Sequence, residues 1–281
     1  MVDGAPPSIL RCKVIPKLVH FIFFNDPPSA RPFTLYHFLA VESALQRLCP
    51  LSVRFYTKNM PYGPLWERLE GRIEIVHLDP PTEIFGRPLR HYAHQADVTR
   101  LNILIEFGGI YLDIDTMVRR SFDPLLTGRL VMGFQKDVSG HVGLCNAVML
   151  SERNHSFLLE WRDRYRTFRS LGLDQFWDEH SVRVPLKLAG IQPDGTLTKK
   201  RSDIDILPPS AFFEPSYWPY DLKRLFERVE PFKDSFCHHL WESKSTDRYL
   251  DRLTCDIICS IDTTYNLLAR PLLEYVPNGR I

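Results

Sequence analysis

The chain is 281 residues long, with 44% hydrophobic and 25% charged residues, a composition typical of a folded globular protein. Its formal net charge of +1 gives no electrostatic reason to expect nucleic acid or an anionic membrane as a partner. The sequence has no run of about 18 apolar residues that would predict a transmembrane helix, and residues 1–7 lack the basic and apolar regions of a signal peptide. We therefore expect a soluble cytoplasmic protein, or a Golgi-lumen protein if the chain is a truncated form, and leave its oligomeric state open.

Strand and helix patterns alternate along the first 115 residues. This alternation predicts an α/β fold with a mainly parallel sheet, covered by helices on both faces. We expect a disordered leader over residues 1–11. Strands are predicted over residues 14–24, 51–56, 73–78, 110–112, 131–135, 147–150 and 204–207. Helices are predicted over residues 33–48, 64–70, 92–107, 157–168, 183–188, 222–228 and 248–268.

The segment from residue 108 to 116 contains the strongest chemical signal in the chain. Gly108 or Gly109 is expected to supply the left-handed conformation that ends the preceding helix. A short apolar strand follows, and Asp113 and Asp115 stand one residue apart at its end. Because side chains alternate along a strand, both carboxylates point the same way. Two neighbouring carboxylates favour a hard divalent cation such as Mg²⁺ or Mn²⁺, which also binds phosphate.

Asp97 and Arg100 lie three residues apart on the helix that leads into this strand, so they share one helix face. They could form a structural ion pair, or a polar arm that reaches into the same cleft as the two aspartates. We favour the cleft, because the same face also contains Ala93 and Leu104 and therefore points toward the sheet. The planar donor fork of arginine suits a phosphate or a ligand rich in hydroxyl groups.

A third group of candidate residues lies near the C-terminus. His239 could complete the coordination of a metal, and Trp241 could cover a base, a sugar or a phosphate. The alternative is a core histidine that packs beside a core tryptophan. Lys244 and Ser245 have the chemistry of a loop that grips a diphosphate, although an ordinary solvated loop has the same composition.

Three motifs together resemble the sugar-binding region with a D-x-D motif of glycosyltransferase family 32. A more remote resemblance is to the glucosylating bacterial toxins. The motifs are IPKLVHF at residues 15–21, ADVTRL at 96–101 and GGIYLDID at 108–115. The second half adds FFEPSYW at 212–218 and HLWESKS at 239–245, which resemble the α-1,4-galactosyltransferases and α-1,4-N-acetylglucosaminyltransferases. The resemblance extends from residue 14 to about residue 250.

This resemblance implies a GT-A-like fold and a metal-dependent retaining enzyme. The enzyme would move a sugar from a nucleotide-sugar donor, such as UDP-galactose, UDP-glucose or UDP-GlcNAc, to a hydroxyl of a glycan or glycoconjugate. The new linkage would be α, and the cofactor would be Mn²⁺ or Mg²⁺. We expect a single domain over residues 12–281, with a donor-binding half at about 12–150 and an acceptor and closing half at about 151–281.

The resemblance also assigns roles to individual residues. Val19 to Phe21 would hold the uracil through backbone atoms, while Asp97 and Arg100 would bind hydroxyls of the donor sugar. Asn146 matches an Asn-Ala position of the family near the anomeric carbon. The implied nucleotide-sugar-binding residues are Val19, His20, Phe21, Tyr92, Asp97, Arg100, Asp113, Trp241, Lys244 and Ser245. The implied metal ligands are Asp113, Asp115 and His239, and the implied catalytic residues are Asp97, Arg100 and Asn146.

The chain departs from the family pattern at two places. Family members usually have a Gly-Pro where acceptor and donor meet, whereas residues 180–185 read HSVRVP, and Glu242 stands where asparagine is common. The sequence shows no unmistakable nucleophile. We therefore favour attack by the acceptor on the face of the leaving group, with the leaving diphosphate taking the acceptor's proton, over a covalent intermediate.

Two alternatives use the same aspartates. Asp113-Ile114-Asp115-Thr116 also fits the D-x-D-x-T motif of haloacid-dehalogenase-type phosphatases, in which Asp113 would be the nucleophile. That fold normally begins with the D-x-D strand, whereas about 110 residues of α/β pattern precede it here. The other alternative is a non-catalytic module that binds a sugar nucleotide or glycan without cleaving it.

Overall fold

The computed structural model describes residues 15–24, 32–136, 139–199 and 201–277. The leader predicted over residues 1–11 lies outside the described residues. The strands are β1 (Leu18–Ile22), β2 (Ser52–Thr57), β3 (Glu74–His77), β4 (Glu83–Ile84), β5 (Arg87–Pro88), β6 (Gly109–Leu112), β7 (Thr116–Val118), β8 (Leu130–Lys136), β9 (Val142–Ser151), β10 (Asp205–Leu207) and β11 (Cys237–His239). The α-helices are α1 (Leu35–Leu48), α2 (Pro64–Glu67), α3 (Tyr92–Phe107), α4 (Ser156–Arg164), α5 (Val184–Leu188), α6 (Pro209–Phe212), α7 (Pro219–Phe226), α8 (Glu242–Ser245), α9 (Cys255–Ser260) and α10 (Thr264–Ala269). Short 3-10 helices lie at Asp123–Leu125, Tyr165–Thr167, Leu250–Arg252 and Arg270–Tyr275, and a π-helical turn lies at Glu179–Arg183.

The main sheet has seven strands in the order β10-β8-β9-β6-β1-β2-β3. The pairs β1–β2, β2–β3, β1–β6 and β8–β10 are parallel, while β9 runs antiparallel to both β6 and β8. This confirms the mixed, mainly parallel sheet that the sequence predicts. Parallel strands bring their carboxyl ends to the same edge, so β1 and β6 present their ends together.

Hydrophobic cores on both faces of the sheet explain why the segment around β1 is apolar except at His20. Val19 and Phe21 pack into the core formed with α1, α2, α6 and α7. Ile22 and Phe24 pack into the core formed with α3, α4 and α5. A strand that is buried on both faces reads as a continuous hydrophobic run rather than an alternating one. The prediction of helices on both faces of the sheet is therefore confirmed.

The connection from α3 to β6 places the two aspartates at the edge of the sheet. Gly108 and Gly109 have φ angles of +66° and +108°, a conformation that favours glycine. A Cβ atom at Gly109 would lie 2.6 Å from the carbonyl oxygen of Leu18 and 2.8 Å from Nε2 of His20. The strand β6 can therefore lie against β1 only with glycine at this position.

The predicted helix over residues 248–268 is wrong. The structure has a 3-10 turn and the separate helices α9 and α10 in this region. The side chains of Thr254 and Thr263 accept hydrogen bonds from the backbone N–H groups of Ile257 and Asn266. Threonine that caps a new helix adopts extended backbone angles, so each threonine begins a short helix instead of continuing a long one.

The strands β7 and β11 form a two-stranded antiparallel ladder that the sequence did not predict. His239 pairs with Thr116, and Cys237 pairs with Val118. Because β7 begins directly after Asp115, this ladder holds the segment around His239 beside the two aspartates. Within the described residues, no helix is long and apolar enough to cross a membrane.

His20 lies beneath the Gly108 turn and makes two hydrogen bonds that fit a neutral ring. Its Nε2–H donates to the carbonyl oxygen of Gly108 at 2.8 Å, and its Nδ1 accepts from the hydroxyl of Tyr56 at 3.2 Å. Burial lowers the pKa of His20 from 6.5 to about 4. Between these two values the unfolded chain binds the proton and the folded chain does not. Folding stability from this residue is therefore complete above pH 6.5 and falls as the pH drops toward 4.

Replacing His20 by glutamine is expected to reduce the loss of stability on acidification. Glutamine keeps an N–H donor near Gly108 but does not titrate. We expect wild type to lose roughly 2 kcal/mol more of unfolding free energy than His20→Gln between pH 7 and pH 4.5. Urea unfolding of both proteins at each pH, with a metal chelator present throughout, measures this difference. Equal losses in the two proteins would contradict the assignment of His20 as a neutral buried group.

Candidate functional site

A cleft of about 370 Å³ opens at the ends of β1 and β6, and we call it the central cleft. Ile22 lines it from β1, Phe24 from the segment directly after β1, and Arg100 from α3. The segment after β6 and the segment after β11 form the opposite walls. The cleft therefore lies where the carboxyl ends of two parallel strands meet, the usual place for a ligand in an open α/β sheet.

Asp113, Asp115 and His239 meet at this cleft, and we call them the metal triad. One oxygen or nitrogen atom from each residue lies within 4.8 Å of the others. Nε2 of His239 is 3.2 Å from Oδ1 of Asp115 and 3.7 Å from Oδ2 of Asp113. Two carboxylates and an imidazole are suitable ligands for a divalent first-row metal. The structure thus brings together the three residues that the resemblance implies as metal ligands.

The pKa values of Asp113 and His239 are both raised in the triad, where two carboxylates lie close together. Burial raises the pKa of Asp113, and the neighbouring Asp115 adds to this, although Arg100 and His239 act in the opposite direction. Burial alone would lower the pKa of His239, but the carboxylates of Asp115 and Asp113 outweigh it and raise that pKa above its ordinary value. Both shifts mean that the site favours an added positive charge, which a proton or a metal ion supplies.

Arg100 is buried and links the triad to α3 and β9. Its Nη1 lies 3.1 Å from Oδ1 of Asp113, and it also donates to the side-chain and backbone oxygens of Asn146, each at 3.0 Å. Its Nη2 lies 3.6 Å from Oδ1 of Asp97, which accepts a 2.7 Å bond from Nδ2 of Asn146. Burial would lower the pKa of Arg100, but Asp113 and Asp97 raise it above its ordinary value. Arg100 therefore stays charged and fixes the orientation of Asp113.

Asp97 and Asn146 lie behind Arg100, at 6% exposure each, and neither lines the central cleft. Their side chains are bonded to each other and to Arg100. In this arrangement they orient Arg100, while only Arg100 of the three borders the cleft. Direct contact of Asp97 or Asn146 with a sugar stays a prediction.

Tyr111 is a site residue that the sequence reasoning missed. Its hydroxyl donates to Oδ1 of Asp113 at 2.7 Å, and the guanidinium of Arg100 lies 4.6 Å from the centroid of its ring. Tyr111 stands two residues before Asp113, so strand alternation places the two side chains on the same side of the sheet. The spacing alone could have indicated this contact.

The turn from Leu240 to Glu242 closes one side of the metal triad. Asp115 accepts the backbone N–H of Leu240 at its carbonyl oxygen, at 2.9 Å, and the backbone N–H of Glu242 at Oδ2, at 2.7 Å. Trp241, between them, has a left-handed φ of 57°. The carboxylate of Glu242 accepts a 3.1 Å bond from the hydroxyl of Tyr36. Asp115 is therefore both a triad member and the anchor of this turn.

Of the residues predicted to bind a diphosphate, some line the central cleft and one is buried. Trp241 and Lys244 line the central cleft, and Lys244 is exposed. Ser245 is fully buried, and its hydroxyl donates to the carbonyl oxygen of Leu240 at 2.7 Å, so it stabilises the turn. Tyr92 lines the rim of the cleft and is 52% exposed. Trp177, which the sequence reasoning missed, also lines the cleft.

The segment predicted to hold a uracil is buried within the sheet. The side chains of Val19, His20 and Phe21 are fully buried. The pairing of β1 with β6 involves Val19 and His20, so β1 continues beyond its last residue paired with β6. Ile22, at the end of β1, and Phe24, just beyond it, supply apolar side chains to the central cleft, while backbone contact of Val19 to Phe21 with a base stays a prediction.

Comparison with known proteins identifies the class of this chain. Residues 54–131 match the family described as a glycosyltransferase sugar-binding region containing a DXD motif. The chain is 32% identical over 273 residues to glucan organizing enzyme 1 of Cryptococcus neoformans var. grubii. The aligned region covers 92% of this chain and 71% of that protein. The chain therefore belongs to the glycosyltransferases that have this region, glycosyltransferase family 32.

More distant relatives include lactosylceramide 4-alpha-galactosyltransferases. The human protein is 25% identical over 228 residues, which cover 78% of this chain and 57% of that protein. Among solved structures, the glycosyltransferase GlyE of Streptococcus pneumoniae is similar with a TM-score of 0.47 at 12% identity, covering 80% of this chain and 54% of that chain. The galactosyltransferase LgtC, solved with donor and acceptor sugar analogs, is similar with a TM-score of 0.42 at 13% identity, covering 79% and 86%. These two structural similarities are too loose to support further conclusions.

Proposed function

We propose that this glycosyltransferase is metal-dependent and retaining. It would move a sugar from a UDP-sugar, such as UDP-galactose, UDP-glucose or UDP-GlcNAc, to a hydroxyl of a glycan or glycoconjugate with formation of an α linkage. The observation that carries the proposal is the convergence of Asp113, Asp115 and His239 beside the buried Arg100 in one cleft. The cytoplasmic location stays a prediction from the sequence.

The residues of the metal triad fit a divalent ion. Their ligand atoms are two carboxylate oxygens and one imidazole nitrogen, which suit Mn²⁺ and, for the oxygens, Mg²⁺. Nδ1 of His239 is buried without a hydrogen-bond partner among the described residues, while Nε2 faces the carboxylates of Asp113 and Asp115. When bound, such an ion supplies positive charge that stabilises a diphosphate leaving group.

Side chains of the chain itself would position the donor. Arg100 and Tyr111 fix Asp113 in one orientation, which removes the need to order it when the donor binds. Lys244 lines the cleft and would place its ammonium group against the diphosphate as charge develops there. Trp177 and Trp241 also line the cleft and offer flat apolar surfaces for a base or a sugar ring.

Three of the four carboxylates that line the cleft already have partners or a place in the metal triad, which favours attack by the acceptor on the face of the leaving group. Among the described residues the four are Asp113, Asp115, Glu242 and Asp247. Asp113 and Asp115 belong to the metal triad, and Glu242 accepts a hydrogen bond from Tyr36. A covalent intermediate would need a carboxylate that is free to reach the anomeric carbon, and within the described residues of the lining only the exposed Asp247 lacks such a contact. In our proposal the leaving diphosphate instead takes the proton of the acceptor hydroxyl.

The proposal is tested by incubating the protein with a panel of UDP-sugars and GDP-sugars and Mn²⁺, without acceptor. We expect slow release of free sugar with retained α configuration from at least one UDP-sugar, and no release after chelation of the metal. Asp115→Ala is the control and should release no sugar above background. The proposal fails if no donor is cleaved, or if Asp115→Ala cleaves donor at the wild-type rate.

The same experiment separates the two alternatives. A non-catalytic module would bind UDP with metal and release no sugar. A phosphatase would form a phosphorylated Asp113 and would not need a nucleotide. The membership of the chain in a glycosyltransferase family argues against this alternative. In the structure, Oδ1 of Asp113 is also bonded to Tyr111 and Arg100, which leaves it poorly placed as a nucleophile.

A further inference from the structure

A second cavity, of about 630 Å³, lies next to the central cleft, and we call it the side groove. Its lining is mixed: Gln135, Asp178, Arg183 and Gln192 are polar or charged, Tyr217 is aromatic, and much of the rest is aliphatic. Amide and charged side chains around an aromatic ring are a suitable lining for a saccharide, since the ring packs on the sugar face and the polar groups bond its hydroxyls.

The side groove and the central cleft share walls at two places. Trp177 lines the central cleft, and the next residue, Asp178, lines the side groove. On the other side, Tyr217 lines the side groove, and its ring centroid lies 5.4 Å from that of Trp241, which lines the central cleft. A molecule in the side groove would therefore lie beside a donor in the central cleft.

A further cavity lined by arginine and lysine side chains adjoins the side groove. Arg183 and Lys187 line both the side groove and a further cavity of about 620 Å³, which Arg164, Lys199 and Arg201 also line. Arg183 is paired with Asp178 at 2.7 Å, and Arg201 with Glu160 at 3.0 Å. The remaining acid of this cavity, Glu179, is paired with Arg169 at 2.6 Å. The acidic residues that line these cavities and face the cations are thus already matched.

Three cations of this cavity remain unmatched, and we call Arg164, Lys187 and Lys199 the basic patch. Within the described residues, none of their side chains has an ion pair or a hydrogen bond, and all three are exposed. Like charges gathered in one concave surface raise the local positive potential and attract an anion. Carboxylate and phosphate groups are the anions that arginine and lysine bind best.

The basic patch stands on an ordered backbone. The backbone N–H of Thr198 donates to the carbonyl oxygen of Gly190 at 2.7 Å, and a Cβ atom at Gly190 would collide with the carbonyl of Lys199. Lys187 belongs to α5, which follows directly on the π-helical turn Glu179–Arg183. Such π-helical turns are frequent at functional sites. The backbone therefore holds Lys199 near the end of the helix that carries Lys187, and Arg164 lines the same cavity from α4.

We propose that the side groove and the basic patch bind an acidic glycan, with its saccharide in the groove and an anionic group, carboxylate or phosphate, on the patch. This inference rests on the proposed function, because it assigns the acceptor to a space beside the donor cleft. A glycan fits better than a membrane surface, since the cations line a cavity that continues into a groove with an aromatic wall. The attacking hydroxyl then lies at the end of the glycan nearest Tyr217 and Trp241.

The test compares three fluorescently labelled tetrasaccharides of one backbone: a neutral form, a form with a terminal uronic acid and a form with a 6-phosphate. Binding is measured by anisotropy at low salt, in the presence of UDP and Mn²⁺. We expect at least one acidic form to bind five-fold or more tighter than the neutral form, and its advantage to shrink as salt is raised. Which acidic form is preferred identifies the anionic group.

The double variant Lys187→Gln with Lys199→Gln should remove this preference and leave donor cleavage without acceptor unchanged. Arg68→Gln with Lys233→Gln is the matched control, because both side chains are exposed and neither residue lines these cavities, and it should keep the preference. The inference is overturned if the neutral form binds as tightly as both acidic forms, or if the Lys187 and Lys199 variant keeps the preference. It is also overturned if the Lys187 and Lys199 variant binds the tetrasaccharides as wild type does and differs from wild type only by weaker binding to phosphatidylserine vesicles. Failure of donor cleavage, by contrast, would count against the proposed function alone.

Discussion

Asp115→Asn is expected to lower Mn²⁺ affinity at least 100-fold and to abolish metal-dependent donor cleavage, with little change in stability. The isosteric amide keeps an oxygen that can accept the backbone N–H of Glu242. It removes the charge that His239 faces at 3.2 Å, and with it one of the two anionic ligands of the metal triad. Loss of a second-shell partner alone typically lowers metal affinity 10–100-fold, and loss of a ligand should exceed this.

Trp241 offers a direct measurement of metal binding. Its ring centroid lies 4.3 Å from that of His239, so paramagnetic Mn²⁺ in the triad should quench its fluorescence. Titration of wild type and Asp115→Asn with Mn²⁺ then gives both affinities without any substrate. Asp123→Asn is the control, because Asp123 is an exposed aspartate that pairs with Lys17 away from the cleft. Wild-type quenching in Asp115→Asn would contradict the metal triad.

Arg100→Met is expected to destabilise the fold by about 3–5 kcal/mol, because it leaves Asp97 and Asp113 without their buried counter-charge. Methionine fills much of the same volume, so the loss arises mainly from charge and hydrogen bonding. The pKa of Asp113 should rise further, since Arg100 is the strongest group that now lowers it. Chemical denaturation of both proteins at pH 7 measures the difference in unfolding free energy.

The chain contains a matched control for this variant. Asp163 and Arg166 form an ion pair with the same i,i+3 spacing, at 2.6 Å, but their side chains are 59% and 61% exposed. An exposed pair contributes little to stability, so Arg166→Met should change the unfolding free energy by less than about 1 kcal/mol. The interpretation of Arg100 as a buried organising charge is wrong if the two variants lose similar stability. Asp97→Asn added to Arg100→Met should recover part of the loss, because it removes one unmatched charge.

Local patterns in the sequence predicted the central strands and the long helices in the first half of the fold, but not the short strands β4, β5 and β7. The helix at residues 92–107 has the predicted bounds, and the two-glycine end, the buried strand and the paired carboxylates follow as expected. Helical periodicity and strand alternation depend on neighbours in sequence, so they can be read without knowing the tertiary structure. The sites of Asp113 and Asp115 at a strand end follow from the same patterns.

Contacts between residues that are far apart in sequence could not be predicted from local patterns. The ladder of β7 with β11 joins two three-residue segments with no strong local signal, and together with the bonds from Leu240 and Glu242 to Asp115 it holds His239 beside Asp115. The position of Asp97 and Asn146 behind Arg100 depends on packing between α3 and β9. The break in the predicted helix at residues 248–268 comes from threonine capping that competes with helix continuation.

The ladder between β7 and β11 also has a consequence for how the protein matures. Asp115 and Glu242 are joined by a hydrogen bond across 127 positions of the chain, and the intervening residues must be synthesised before it can form. A nascent chain that has reached only α5 contains the strands β1, β6 and β9 but lacks His239, the proposed histidine ligand. Closure of so long a loop is slow compared with local folding. Metal capture should therefore be a late event of biosynthesis, and a ribosome-stalled chain that ends before β11 should contain the sheet without retaining Mn²⁺.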